Sequence, residues 1–148
     1  MQETGPDSRI FSYIHLGGKI GVLLKLSAAQ AAALDHPRVQ ELGKDLCMQV
    51  AAAAPIALSR GEIPKEKVES ESVIYRELAL KEGKPEKILD KIVAGRLDKF
   101  YKETVLLEQP FVKDPERSVS QVVSGAAKEA GSDLKVVSFL RYQLGVEP

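Results

Sequence analysis

Two apolar runs separated by a Gly-Gly pair constrain the fold of this chain most strongly. The first run, residues 9–15, mixes Ile, Phe and Tyr with polar residues, and the second, residues 19–26, is almost continuously apolar. Gly17 and Gly18 between them supply the positive φ that a tight turn requires. This pattern predicts a β-hairpin near the start of the chain.

A third strand is predicted at the other end of the chain, where residues 134–144 alternate between apolar and polar side chains. This alternation is typical of a half-buried strand. A hairpin followed at a distance by one more strand favours a small antiparallel sheet, of about three strands, backed by helices. The expected fold class is therefore α+β rather than alternating α/β.

A projecting antiparallel helical hairpin is predicted over residues 65–102. Gly83 is suited to closing a helix ending near residue 81, and Pro85 is suited to opening the next one. The apolar face of the first helix is narrow, and that of the second is better patterned. The predicted faces consist of Val68, Tyr75, Leu78 and Ala79 in the first helix, and of Ile88, Leu89, Ile92, Val93, Leu97, Phe100 and Tyr101 in the second.

Two further helices complete the prediction. One begins at His36-Pro37, because proline suits the first helical position, and ends near Pro55. The other covers residues 119–130, since Ser118 and Gln121 have capping-box spacing. Residues 105–112 are expected to be extended, and Asp114-Pro115 is expected to form a turn. The predicted organisation is a flexible lead-in, residues 1–8, followed by one domain, residues 9–148, into which the helical hairpin is inserted.

The charge balance argues against a nucleic-acid partner. Lysine plus arginine total 21, and aspartate plus glutamate also total 21, so the net charge is zero. Proteins that bind phosphate backbones usually carry a basic excess. The longest apolar stretch is too short to span a bilayer, so no membrane association is expected. A single cysteine fits a reducing compartment, and a cytoplasmic location is expected.

No catalytic or metal-binding constellation is recognisable. Cys47 lies among apolar residues of a predicted helix, which indicates a buried structural thiol rather than a nucleophile. His15 and His36 do not have metal-ligand spacing, and no serine lies in a G-x-S-x-G frame. No metal or cofactor is expected, and a binding role is favoured over an enzyme.

Several segments resemble the core and dimerisation region of bacterial elongation factor Ts, and of the two related halves of that core the chain resembles the C-terminal half best. The resemblance covers about residues 10–145, and the matching segments follow in the family's order. They are Ser12-Tyr13-Ile14-His15, Lys19-Ile20-Gly21-Val22-Leu23-Leu24, Lys44-Asp45-Leu46-Cys47-Met48-Gln49-Val50-Ala51-Ala52-Ala53, Glu82-Gly83-Lys84-Pro85, Leu107-Glu108-Gln109-Pro110-Phe111-Val112 and Phe139-Leu140-Arg141-Tyr142-Gln143-Leu144-Gly145.

The resemblance implies a chain that binds the GTPase EF-Tu and promotes its nucleotide exchange. Carried over from the family's motifs, the partner-binding residues are Ile20, Gly21, Met48 and Gln49. Gln49 stands where many members have histidine, and the resemblance leaves it open whether Gln49 contacts the partner or is plain surface. Met48 is equally suited to the core.

One departure from the family pattern concerns the T-D-F-V-A motif, whose Asp-Phe pair is pushed toward the partner's magnesium site. Residues 27–34 stand in its place and are small and alanine-rich. This implies a fragment, or a divergent form, that docks on EF-Tu without the main wedge. The alternative is a dimerisation or scaffold module of the same fold without exchange activity, for which a homodimer is the natural assembly.

Overall fold

The computed structural model describes residues 7–15 and 17–145. The predicted lead-in lies mostly outside the described residues, and the first strand already begins at Ser8. The elements in chain order are β1 (Ser8–His15), β2 (Ile20–Ala28), a 3₁₀ turn (Ala31–Asp35), α1 (Pro37–Ala53), a 3₁₀ turn (Arg60–Glu62), α2 (Lys65–Lys81), α3 (Glu86–Thr104), a 3₁₀ turn (Leu106–Glu108), β3 (Pro110–Phe111), β4 (Asp114–Ser118), α4 (Val119–Ala130) and β5 (Leu134–Gln143).

The predicted α+β class is confirmed. β2 lies between β1 and β5, and both neighbours run antiparallel to it. Gly17 and Gly18, with φ of 65° and 91°, lie between the first two strands, as the predicted hairpin requires. A register shift between Lys25 and Leu26 accommodates an extra residue in β5. β3 and β4 form a second, two-stranded sheet.

The main core lies between α1 and one face of the three-stranded sheet, which we call the inner face. Burial alternates strictly along the first half of β2, so that Val22 and Leu24 point inward. α1 buries Leu42, Leu46 and Val50 completely, at the spacing of one helical stripe. α4 and the 3₁₀ turn after β2 close the remaining sides of this core.

The helix termini follow the predicted local chemistry. His36 is the N-cap of α1, where its Nδ1 accepts a hydrogen bond from the Arg38 amide at 3.1 Å. At the start of α4, Ser118 and Gln121 form both hydrogen bonds of the capping box, and Gly131 ends the helix with φ 67°. These boundaries were predictable because the residues that determine them are adjacent in the chain.

The projecting helical hairpin is confirmed as α2 packed against α3. Its predicted apolar faces are only partly buried. Leu89, Val93 and Phe100 of α3 are buried, but Leu78 and Ile88 are exposed. These two predictions were wrong because two isolated antiparallel helices cover only one narrow stripe of each other's surface.

The segment after α3 departs from the prediction. Residues 105–112 are not one extended run, because a 3₁₀ turn at Leu106–Glu108 separates the β-bridge at Val105 from β3. Asp114-Pro115 is not the turn. Those residues begin β4, and the turn lies at Val112 and Lys113, since hydrogen bonds from both residues to α1 hold it there.

No helix in the part of the chain that the structure describes is long and apolar enough to cross a membrane.

Gly43 allows α1 to approach β1 closely. A Cβ at Gly43 would come closer than 3.0 Å to three atoms of the Phe11 ring, and both residues are buried. We expect Gly43→Ala to lower the free energy of unfolding by about 1–3 kcal/mol, because the ring has to shift within a packed core.

Gly95→Ala in α3 is the matched control. A Cβ at Gly95 meets nothing within 4 Å, so we expect the control to raise the free energy of unfolding by about 0.5–1 kcal/mol through the better helix propensity of alanine. Urea denaturation followed by circular dichroism measures both values. Equal effects of the two substitutions would contradict the close contact at Phe11.

Candidate partner-binding surface

Ile20 and Gly21 open β2 at the hairpin end of the sheet. Alternation along the strand places them on opposite faces. Ile20 points toward α1 and is only 4% exposed, whereas Gly21 lies on the outer face, where a Cβ would meet nothing within 4 Å. The two predicted contact residues therefore do not form one surface, and only Gly21 is accessible in this chain.

Gln49 is fully buried, with 0% of its surface exposed. Its Oε1 accepts a hydrogen bond from the Val112 amide at 2.8 Å, and its Nε2 donates to the Pro110 carbonyl at 3.1 Å and to Gln109 Oε1 at 3.2 Å. The prediction that Gln49 lies at the surface was therefore wrong. The residue instead ties α1 to the turn between β3 and β4.

Gln109 continues this buried network toward the helical hairpin. Its Nε2 donates to the Glu103 carbonyl at 2.9 Å, near the end of α3, and its side chain is also almost completely buried. The two glutamine side chains form hydrogen bonds with one another and with the backbone groups around them, as buried amides must. Together they join α1, the end of α3 and the β3–β4 turn. We call this pair the glutamine staple.

Met48 is half-buried on α1, beside the staple. Nearby, Lys113 Nζ lies 3.0 Å from Asp45 Oδ1, and Val112 leaves an apolar side chain exposed at the tip of the turn. Arg141 Nη2 donates to the Ala51 carbonyl at 3.1 Å, which places the end of α1 at the same end of the sheet as Gly21. Met48 and Gly21 are thus the accessible members of the predicted set, at one end of the domain.

A second apolar surface lies on the outer face of the three-stranded sheet. Directly paired residues form rows across the strands, and the row at the hairpin end runs from Ile14 through Gly21 to Tyr142. Ile14 is 71% and Tyr142 62% exposed, so Gly21 forms a notch between two projecting side chains. The next row adds Leu23 and Leu140, which is 52% exposed.

This outer face was not predicted, although the sequence carries a signal for it. β1 has apolar residues on both faces, with Phe11 on the inner face and Ile10 and Ile14 on the outer one. A strand that is apolar on both sides is typical of a sheet covered on both faces. The structure leaves one of those faces open in the single chain.

The described residues offer little for catalysis. Cys47 is completely buried, as predicted, and burial raises the pKa of its thiol to about 12. His15 Nδ1 lies 2.7 Å from the Tyr13 hydroxyl, a pairing that fixes the ring without involving a nucleophile. Within residues 7–15 and 17–145, no three His, Cys, Asp or Glu side chains converge as metal ligands would.

Comparison with known proteins gives a match along nearly the whole chain. The family model described as Elongation factor TS matches residues 1–146. The chain is 49% identical over 134 residues to Elongation factor Ts from Clostridium botulinum (strain Alaska E43 / Type E3), an alignment that covers 90% of this chain and 43% of that protein.

Two further relatives extend this match to other bacteria. Elongation factor Ts from Chloroherpeton thalassium is 44% identical over 142 residues, covering 96% of this chain and 47% of that protein. Elongation factor Ts from Desulforamulus reducens is 46% identical over 134 residues, covering 90% of this chain and 62% of that protein. The chain spans about half the length of the curated relatives it matches.

Replacing Gln49 tests the glutamine staple. We expect Gln49→Met, which keeps the length of the side chain, to lower the free energy of unfolding by about 2–3 kcal/mol, because it leaves Gln109 and the Val112 amide without their buried partner. Gln143→Met at the exposed end of β5 is the control and should change stability by less than about 0.5 kcal/mol. Chemical denaturation measures both, and a similar small effect at the two positions would contradict the staple.

Proposed function

We propose, because the chain belongs to the elongation factor Ts family, that it binds the GTPase EF-Tu and contributes to guanine-nucleotide exchange during translation elongation in the cytoplasm. The observation that carries this proposal is the family match over residues 1–146. In this role the chain performs no chemical reaction, so it is a binding protein and not an enzyme.

The contact with EF-Tu is proposed at the end of the domain where α1 meets the hairpin end of the sheet. Met48 and Gly21 are the accessible residues of the set that the family motifs suggest. Ile20 and Gln49 act from the interior, where Ile20 anchors the start of β2 and Gln49 holds the β3–β4 turn in place. The turn adds the exposed Val112 to this surface, beside the ion pair between Lys113 and Asp45.

The proposed mechanism is thermodynamic linkage. A protein that binds nucleotide-free EF-Tu more tightly than EF-Tu carrying GDP must lower the affinity of EF-Tu for GDP by the same factor. Only the difference between the two binding affinities drives exchange, because a partner that binds both states equally shifts nothing. Docking and exchange are therefore separable properties of one surface.

This chain is proposed to dock better than it exchanges. The T-D-F-V-A wedge of the family is absent from residues 27–34, which here form the end of β2 and most of a 3₁₀ turn. The chain also spans about half of its relatives' length. We infer that it corresponds to the half of the factor that lacks the wedge.

Stopped-flow release of a fluorescent GDP analogue from EF-Tu tests the separation of docking from exchange. We expect saturable binding to EF-Tu, measured by calorimetry, together with much weaker acceleration of GDP release than a full-length relative provides. Full exchange activity from this chain would contradict the inference about the wedge. Absence of any binding would contradict the proposed function itself.

The proposed contact surface is tested by Met48→Glu. A carboxylate at this position would have to be desolvated in the interface, so we expect the affinity for EF-Tu to fall by at least about tenfold. Ser124→Glu on the exposed side of α4 introduces the same charge elsewhere and should leave the affinity unchanged. Equal affinities of both variants would place the contact surface somewhere other than Met48.

The open outer face of the sheet supports a second candidate function, a dimerisation or scaffold module. Contiguous exposed apolar surface on a sheet is typically covered in the functional assembly. A second copy of this chain would supply an identical face, and the remaining part of a longer chain would supply a face in cis. Assembly through this surface would cover Gly21, which lies on the outer face, and would leave Met48 on the α1 side as the accessible residue of the proposed EF-Tu contact.

Leu140→Lys tests the outer face. Leu80→Lys on α2 is the matched control, since Leu80 is 48% and Leu140 52% exposed. We expect the parent chain and the Leu80 variant to elute as dimers, and the Leu140 variant to elute as a monomer because lysines would face one another across the sheets. Light scattering coupled to size exclusion reads the mass directly. A monomeric parent chain would exclude the second copy as the covering partner.

A further inference from the structure

The helical hairpin is joined to the rest of the domain by two short segments that lie side by side. One segment precedes α2 and contains Ala57, and the other follows α3 and contains Val105. The two residues form a single parallel β-bridge, and the Leu106 amide donates to the Ala57 carbonyl at 2.9 Å. We call this junction the hairpin root.

The apolar contacts at the root are few. Four buried residues form the apolar cluster at the root. The main core is larger, because it includes residues of α1, α4 and the sheet. The four buried members are Ala57, Ile63, Phe100 and Val105.

Backbone hydrogen bonds from the Ile56 amide to the Thr104 carbonyl at 2.8 Å and from the Leu107 amide to the Leu58 carbonyl at 3.3 Å flank the bridge, and Gln109 Nε2 donates to the Glu103 carbonyl. These contacts hold the two segments together close to the bridge, so a side-chain contact between the segment before α2 and α3 itself bears most directly on the direction of the hairpin.

Arg60 makes such a contact. It lies in the 3₁₀ turn before α2, and its Nε and Nη2 each donate to a different carboxylate oxygen of Glu108 at 2.7 Å. Glu108 lies in the 3₁₀ turn that follows α3. This two-pronged pairing is directional as well as attractive, because the planar guanidinium matches the carboxylate in only one relative orientation.

Two residues of α3 hold the same guanidinium. Asp98 Oδ1 lies 3.6 Å from Arg60 Nη2, and the centre of the Tyr101 ring lies 4.2 Å from the guanidinium carbon. The hydrogen bond to Glu108, followed by the nearby carboxylate charges, raises the pKa of Arg60. Arg60 therefore lies in the segment before α2 and contacts both α3 and the segment that follows α3.

We propose that Arg60 is a positioning residue that fixes the direction in which the α2–α3 hairpin projects from the sheet. The contact matters because the hairpin is a long lever. α2 has 17 residues and is therefore about 25 Å long, so that a rotation of about 10° at the root moves the tip by about 4 Å. This proposal concerns the fold alone and does not rest on the proposed function.

Double electron–electron resonance on the full chain tests this proposal. Spin labels at Lys84→Cys, at the tip of the hairpin, and at Lys44→Cys, on α1, report the direction of the hairpin; both lysines are exposed. The native Cys47 need not be replaced, since it is completely buried and will not react with the label.

We expect Arg60→Ala to broaden or shift the distance distribution between the two labels by several ångströms. Arg60→Lys keeps the charge but loses the paired geometry, and it should give an intermediate distribution. Arg76→Ala is the matched control. It removes an arginine as exposed as Arg60, whose ion pair with Asp90 joins α2 to α3 within the hairpin and does not touch the root. The control should leave the distribution unchanged.

An unchanged distribution in Arg60→Ala overturns the proposal. A second label pair, Glu69→Cys and Lys91→Cys, lies within the hairpin and checks that the two helices remain packed. If this internal distance broadens in Arg60→Ala to the same extent, the residue stabilises the helical pair rather than directing it, and the proposal also fails. A constant internal distance with an altered tip-to-α1 distance supports it.

Discussion

The packing of α1 against the inner face of the three-stranded sheet is the contact on which the rest of the structure depends. The sheet has an apolar face, which must be removed from water by packing against another element. α1 covers that face with a fully buried stripe, and Gly43 lets the helix approach Phe11 more closely than any other residue would. The hairpin, the second sheet and α4 all attach to this two-layer unit.

Two sets of polar contacts, the glutamine staple and the Arg60 contact, connect these parts of the structure. They differ in how deeply they are buried. The glutamine staple is buried, so each of its hydrogen bonds is costly to lose and its geometry is strongly specified. The Arg60 contact is exposed, where an ion pair contributes little to stability and is screened by salt. The first therefore holds the β3–β4 turn firmly to α1. The second is suited to setting a direction rather than to holding the fold together.

The chain presents two candidate contact surfaces and no arrangement of reacting groups among its described residues. One surface lies where α1 meets the hairpin end of the sheet, and the other is the outer face of the sheet. Gly21 belongs to the outer face, whereas Met48 belongs to the helix side. In the proposed role, this separation allows one face to complete the assembly while the other binds the GTPase.

The sequence by itself determined the three strands of the main sheet, the four helices and most of their boundaries, because caps, turns and hydrophobic periods depend on residues close together in the chain. It did not determine β3 and β4. Ser118 with Gln121, and Gly83 with Pro85, are examples that held to the residue. The family was also evident from short motifs. The position of Gln49 was decided only by the tertiary structure. Its partners lie at Gln109 and beyond, 60 residues away, and helical periodicity does not reveal which face of an almost uncharged helix such a distant segment will cover.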